Sequence, residues 1–356
     1  MITRRRFIQD LSLSASTALA IAACNNNQSQ QSTSNTPSAG STLSPVIKTP
    51  TKIKIGAVTG INSIDVWMPY DLGYFKDAGL DVEVIQFRSA PRMRDAVVAG
   101  ELDFSAQAPL HVYLSRLKGI PLKVVANRRN IVDAALIVRQ DLQSSTQKVT
   151  DLKGKSISIG AVGSWSWALA EKYLQKNGLT PANDVKYVAS ESSTNYALIK
   201  SGQVDAAVTN APDLTKIIEE RAGYILVDPT EPAIHQEYFG AAEAMTRAWL
   251  AHERILKDKP DAIEKLVQAA NRTFDYLHKT APAETATALG KRFEGTSGEI
   301  LAHSIQRDIK RAIPTDSSIS KAAYQADLQV FLETGVIKKP VPYEEGVYDA
   351  KAGNRA

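Results

Sequence analysis

The sequence is poor in features that would explain stability or function by themselves. Its 356 residues include one cysteine, Cys24, so neither an intramolecular disulfide nor a paired-cysteine metal site can form. Beyond the first 23 residues, no segment has the ~20 apolar residues that a membrane-spanning helix needs. The formal net charge of +4 is too small to indicate binding to nucleic acid.

The short motifs of common enzymes are also missing. There is no G-x-S-x-G elbow, no phosphate-binding P-loop and no H-E-x-x-H zinc motif. The five histidines are scattered, and each is more simply a structural or exposed side chain: His111, His235, His252, His278 and His303. We therefore predict no catalytic residue, no metal and no cofactor. The length still allows two domains with sizeable cores.

The N-terminus has the pattern of an export signal. Residues 1–23 begin with three arginines at positions 4–6 and continue as a short, mostly apolar run rich in Ala and Ser. "TRRRFIQ" resembles the twin-arginine export motif, although the general route stays open. "IAAC" resembles a lipoprotein cleavage box, with Ile21 where that box prefers Leu. We predict a lipid on Cys24, the alternative being an incidental cysteine, followed by a flexible polar tether over residues 24–50.

From residue 52 onward, strand-like and helix-like segments alternate, and the pattern repeats after about 100 residues. One predicted helix runs from about Asp65 to Ala78. The matching segments are "KIKIGAVTGINS" (52–63) with "SISIGAVGSWS" (156–166), "YFKDAGL" (74–80) with "YLQKNGL" (173–179), and "GELDFSAQAP" (100–109) with "GQVDAAVTNAP" (202–212). Chance similarity of generic strand–turn–helix sequences is the alternative explanation.

A true repeat predicts two α/β lobes of similar plan. Alternating strands and helices favour parallel-rich sheets with right-handed crossovers. Ligands bind such sheets beyond the carboxyl ends of their strands. Two lobes that face each other at those ends would enclose a cleft.

Three segments carry a family resemblance: "MPYDLGYFKDAGLDVEVIQF", "AGELDFS" and "GSWSWALAEKYLQKNGL". They resemble the solute-binding proteins of bacterial ABC importers, in particular the nitrate/sulfonate/taurine group, which shares its fold with thiamine-pyrimidine binding proteins. The resemblance covers roughly residues 52–335. It implies a two-lobed, type II periplasmic-binding-protein-like fold that closes on a small solute.

The resemblance also implies an arrangement of the chain. Hinge strands are expected near residues 130–140 and 237–246. Lobe 1 would comprise residues 52–130 and 245–340, including C-terminal helices that pack on it, and lobe 2 residues 131–244. The C-terminal helix of lobe 1 has an apolar stripe formed by Ile263, Leu266, Val267, Ala270 and Phe274.

The opening of the second repeat holds the first group of candidate ligand contacts. Gly163, Ser164 and Ser166 lie where a helix begins, and the free N–H groups and dipole there favour an anion. The alternative is plain N-capping by Ser164. Trp165 lies too far around the helix to share the packed face of Trp167, so we place it in the cleft. Its alternative is a tryptophan at the lobe edge.

The repeat and the strand ends predict the remaining candidates. An arginine in the cleft could hold a sulfonate, phosphate or carboxylate through its two-pronged guanidinium group. Arg128 or its neighbour Arg129 could instead be a solvated surface charge. The further candidates are Asn62, Ser63, Trp67, Arg88, Gln107, Ala108, Asn127, Arg128, Glu191 and Asn210.

Three functions follow as expectations. The first is a monomeric, lipid-anchored binding protein outside the cytoplasmic membrane, delivering a small, sulfonate-like anion to an ABC permease and its ATPase. The tryptophans fit an aromatic solute such as a pyrimidine as well. The second is an enzyme on the same fold, as in relatives that synthesise the thiamine pyrimidine. Those fungal synthases carry a cysteine-rich motif that is absent here. The third is a sensory module with a receptor partner.

Overall fold

The structure is a computed structural model that describes residues 49–58, 60–190, 192–293 and 295–348. The predicted export signal, Cys24 and all but the last two residues of the predicted tether lie outside this range. So does Glu191.

Ten strands and sixteen α-helices are present in the described residues. The strands are β1 (Thr51–Val58), β2 (Leu80–Phe87), β3 (Phe104–Gln107), β4 (Leu122–Arg129), β5 (Ala135–Arg139), β6 (Ser156–Ile159), β7 (Lys186–Ala189), β8 (Ala206–Thr209), β9 (Gly223–Val227) and β10 (Arg247–His252). The helices are α1 (Ile64–Asp71), α2 (Tyr74–Asp77), α3 (Ala90–Ala99), α4 (Leu110–Arg116), α5 (Trp165–Lys176), α6 (Pro181–Asp184), α7 (Asn195–Lys200), α8 (Asp213–Glu219), α9 (Pro232–Phe239), α10 (Glu253–Asp258), α11 (Pro260–Lys279), α12 (Pro282–Leu289), α13 (Gly298–Ser304), α14 (Lys310–Ala312), α15 (Lys321–Glu333) and α16 (Tyr343–Gly346).

Two five-stranded sheets have the same topology. Their strand orders are β2-β1-β3-β10-β4 and β7-β6-β8-β5-β9. In each sheet four strands run parallel, and the fifth, β10 or β5, is antiparallel to both neighbours. The predicted α/β fold with two parallel-rich sheets is therefore confirmed, and the internal repeat corresponds to the equivalence of β1 with β6 and of β3 with β8. We call each sheet with the helices on it a lobe.

The chain passes between the lobes twice. It leaves the first sheet after Arg129 and returns to it at Arg247. The two passages are hydrogen-bonded to each other, since Ala244 N donates to Asn130 O (2.7 Å) and Thr246 N to Arg129 O (3.1 Å). Both fall within or beside the segments predicted as hinges.

The C-terminal helices cover the first lobe and also reach the second. Helix α11 packs on α1, α2 and β2, and its predicted stripe is turned inward: Ile263, Leu266, Ala270 and Phe274 are buried and Val267 is half-buried. Helix α13 contacts α8, however, and α15 contacts α5 and α9 as well as α4. These helices therefore bridge the lobes.

The predicted helix over 65–78 is two helices. α1 ends at Asp71, and α2 begins after Gly73, which has a left-handed backbone (φ 76°). That conformation suits glycine and ends α1. Among the described residues, no helix combines the length and the apolar character needed to span a membrane.

A buried carboxyl in α15 gives the fold a pH dependence. Asp327 is 0% exposed, and Tyr113 Oη donates to its Oδ2 at 2.9 Å. Burial raises the pKa of Asp327 well above its usual range, although the hydrogen bond from Tyr113 opposes the rise. In the folded protein the Asp327 carboxyl therefore keeps a proton that it releases at about pH 4 in the unfolded chain. The stabilisation is full below that pH and is lost as pH rises toward the folded-state pKa.

Asp327→Asn should stabilise the protein at neutral pH. Asparagine keeps an oxygen that can accept from Tyr113 but carries no proton to lose. We expect a gain of more than about 1 kcal/mol at pH 7 and no gain near pH 4, measured by thermal unfolding. Asp81→Asn, on the exposed edge of β2, is the control and should be neutral. Equal melting temperatures for Asp327→Asn and wild type across this pH range would contradict the prediction.

Candidate functional site

The lobes meet where the carboxyl ends of their central strands face each other. Asn62, in the turn after β1, accepts a hydrogen bond through its Oδ1 from Asn210 Nδ2, which follows β8 (3.0 Å). Both asparagines are sequence candidates, and each is half-buried. This contact joins the two lobes at the ends of their strands.

The first residue of β10 joins the same contact. Arg247 Nη2 donates to Asn62 Oδ1 (3.1 Å), and Arg247 Nη1 donates to both carboxylate oxygens of Asp133 (2.9 Å each). Asp133 belongs to the first passage between the lobes and is 2% exposed. Arg247 thus connects Asp133 of the first passage to the contact between the lobes.

Two buried arginines share one carboxylate beside this contact. Arg128 and Arg129 are 0% exposed and Asp65 is 1% exposed. Arg128 donates from Nε to Asp65 Oδ2 (2.8 Å) and from Nη2 to Oδ1 (2.5 Å), and Arg129 Nη1 donates to Oδ2 (3.1 Å). Burial raises the pKa of Asp65, but the two guanidinium groups outweigh it and hold the pKa below its usual value. Neither arginine is a solvated surface charge.

One arginine of the pair keeps unused donors. Arg129 Nε and Nη2 are buried, and no described residue accepts a hydrogen bond from them. Burial lowers the pKa of Arg129, and Asp65 opposes that change. We call Asp65, Arg128, Arg129, Asp133 and Arg247 the guanidinium cluster. Its three cations exceed its two anions, so an anion would satisfy both the charge and the free donors.

The second-lobe candidates form the start of α5. Ser164 is the N-cap and accepts from Trp167 N (3.3 Å), and Ser166 Oγ accepts from Gly160 N (2.8 Å). A Cβ at Gly160 would lie 2.6 Å from Ser164 Oγ, so glycine permits this turn. Gly163 has a left-handed backbone (φ 82°) with open space around it. The capping role of Ser164 is thus present, and ligand contact remains a prediction for these residues.

The two candidate tryptophans have different surroundings. Trp165 is half-buried, its ring lies 5.1 Å from that of Phe331 in α15, and its Nε1 is buried with no partner in the described chain. Trp67 is 5% exposed and belongs to the first-lobe core, where the Arg292 guanidinium lies 4.2 Å from its ring centre. Trp165 therefore offers an unused donor at the lobe edge, whereas Trp67 is covered.

The other candidates are less closely grouped. Ser63 Oγ donates a hydrogen bond to Val58 O (2.9 Å). The Asn127 side chain accepts a hydrogen bond from Arg128 N (2.8 Å) and so supports the guanidinium cluster. Gln107 is buried at the end of β3. Its Nε2 donates a hydrogen bond to Ser105 Oγ (2.7 Å), and its Oε1 accepts none from the described residues. Ala108 is half-buried, and Arg88 is exposed after β2.

Sequence reasoning missed three members of the cluster: Asp65, Asp133 and Arg247. Asp133 lies within a segment predicted as a hinge, and Arg247 lies immediately after the other. For Asp133, a carboxylate in a mostly apolar segment predicted as a hinge was the available signal.

Asp65→Asn tests how much stability the shared carboxylate provides. Breaking a buried pair leaves uncompensated charge, so we expect the free energy of unfolding to fall by about 3–5 kcal/mol. Asp71→Asn is the matched control, since Asp71 lies on the same helix and pairs with Arg292 at the surface. Its effect should stay below about 1 kcal/mol. Urea unfolding measures both, and equal losses would refute a special role for Asp65.

Comparison with known proteins defines the class. The family model described as NMT1/THI5 like matches residues 61–284, which is more than half of the chain. The protein belongs to this family. The fold is that of the periplasmic binding proteins.

Individual relatives are distant. The chain is 23% identical over 227 residues to a 4-amino-5-hydroxymethyl-2-methylpyrimidine phosphate synthase of Candida albicans (strain WO-1), covering 60% of this chain and 63% of that protein. It is 26% identical over 223 residues to a protein of Brucella abortus (strain 2308) named as a binding protein, covering 62% and 64%. It thus spans less than two thirds of these curated relatives.

A solved structure agrees over most of the chain. The periplasmic aliphatic sulphonate binding protein SsuA from Escherichia coli superposes with a TM-score of 0.68 at 18% identity, covering 84% of this chain and 98% of that chain. The superposition, rather than the identity, establishes the shared fold.

Proposed function

We propose that this protein is the solute-binding component of an ABC importer and captures a small organic anion, sulfonate-like in charge and size, between its lobes. The observation that carries the proposal is Arg129, a buried cation whose Nε and Nη2 donate to no described residue, beside the Asn62–Asn210 contact between the lobes. The sulphonate-binding function named for the E. coli protein supports the same solute class.

Capture requires the lobes to part. Arg129 is 0% exposed, so a solute reaches its free donors only when the cleft opens. Closure would then restore the bond between Asn62 and Asn210 and enclose the solute. Such closure shifts an existing open–closed equilibrium through contacts to both lobes.

One relative of this chain is named as a pyrimidine phosphate synthase, so an aromatic solute is the second candidate. Trp165 favours it, because an indole N–H beside an aromatic side chain suits a heterocycle. We propose binding without turnover for this chain in either case, since a buried arginine cluster holds an anion but supplies no nucleophile.

Two variants distinguish the solute classes. Arg129→Lys keeps the positive charge but loses the planar guanidinium group that can donate two hydrogen bonds to one anion. It should weaken ethanesulfonate binding at least about tenfold. Trp165→Phe keeps the ring and loses the N–H, and should weaken 4-amino-5-hydroxymethyl-2-methylpyrimidine instead. Calorimetric titration measures both, with Arg272→Lys at a surface pair as control. If wild type binds neither compound, the proposed solute classes are wrong.

We further propose that the chain is exported and tethered through a lipid on Cys24, outside the cytoplasmic membrane, where a monomer delivers solute to the permease and its ATPase. A diacylglyceryl group contributes about 0.8 kcal/mol per buried CH₂, so the mature protein should partition with membranes.

Cys24→Ala should abolish that partitioning. Membrane and soluble fractions of expressing cells, probed for the protein, give the measurement. Residual membrane association equal to that of wild type would contradict lipidation at this residue. Ser16→Ala, within the predicted signal, is the control and should leave partitioning unchanged.

A further inference from the structure

A second buried carboxyl lies where the lobes touch. Asp308 belongs to a π-helical turn (Ile305–Ile309) between α13 and α14, a local geometry that is rare and frequent at functional sites. It is 0% exposed, and no described residue donates a hydrogen bond to either carboxyl oxygen. Its nearest cation is the adjacent Arg307, whose Nε lies 3.7 Å from Oδ1.

The turn is fixed to both lobes. Ile305 and Ile309 pack into the first-lobe core. The polar side chains of the same run bind the second lobe: Ser304 Oγ donates to Thr215 Oγ1 (2.9 Å) and Arg307 Nη2 to Asp228 Oδ2 (2.8 Å). Asp308 therefore lies in a seam that changes whenever the lobes move apart.

The charges that face Asp308 come from three elements. Arg307 and Arg311 lie on its own helical run, Asp133 on the first passage between the lobes, and Asp228 directly after β9. Burial raises the pKa of Asp308 to about 7, Asp133 and Asp228 add to the rise, and the arginines oppose it. Two of these four neighbours, Asp133 and Asp228, lie on elements other than the helical run that contains Asp308.

We propose that Asp308 takes up a proton as the lobes close, so that closure, and with it solute capture under the proposed function, is favoured in mild acid and opposed above neutral pH. Opening admits water to Asp308 and moves Asp133 and Asp228, and both changes favour the ionised carboxylate. By linkage, the group with the raised pKa stabilises the closed form at low pH, and this stabilisation is lost as pH rises through that pKa.

Small-angle X-ray scattering of the solute-free protein tests the proposal without depending on the solute. Between about pH 6 and about pH 8.5 the radius of gyration should rise, as the closed-to-open ratio falls by up to about tenfold per pH unit. Asp308→Asn should remove this change and stay compact at both pH values. Asp308→Ser is a second non-ionising variant in case the amide does not fit.

Two controls isolate the group. Asp327→Asn removes another fully buried carboxyl, whose hydrogen-bond partner Tyr113 belongs to the first lobe, and should keep the pH-dependent change. His303→Gln removes an imidazole that contacts Glu219 across the same seam, and should keep it too. A flat wild-type profile overturns the proposal, as does a pH dependence that survives in both Asp308 variants or disappears in His303→Gln. The solute assignment is tested separately by calorimetry.

Discussion

The sharing of the Asp65 carboxylate by Arg128 and Arg129 determines the geometry of the cleft. Burying three charges is costly unless each is paired, so the end of β4 and the start of α1 are held in one arrangement. Arg128 also donates to the backbone oxygen of Asn62 (3.0 Å). The Asn62 side chain is thereby presented to Arg247 and to Asn210 of the other lobe.

This arrangement explains why some site residues could be predicted and others could not. Asn62 and Asn210 follow strands and Arg128 is the next-to-last residue of β4. The ends of parallel strands meet at one sheet edge, so the strand pattern was sufficient to group them. Asp65 and Arg128 are 63 positions apart, Asp133 and Arg247 are 114 apart, and Asn62 and Arg247 are 185 apart. Such pairs arise from the topology of the two passages, which no local pattern encodes.

The same limit applies to the tryptophans. On the basis of the repeat, both Trp67 and Trp165 were predicted to contact the solute. Trp165 is the first residue of α5, where a side chain is still at the lobe edge, whereas Trp67 is the fourth residue of α1 and turns into the core. A shift of three positions on a helix rotates a side chain by about 300°, so a weak sequence match cannot decide between these surroundings.

The position of β10 has a consequence for how the chain reaches its fold. β10 lies between β3 and β4, yet it follows them in sequence after the entire second sheet. As the chain emerges during synthesis, residues 135–227 can complete their own sheet while β3 and β4 each present an unpaired edge. Unpaired edges are templates for wrong strand pairing, and pairings distant in sequence form late. The first lobe is thus the slower and more vulnerable half, and a chain interrupted before residue 247 would contain one finished sheet and one that lacks the strand between β3 and β4.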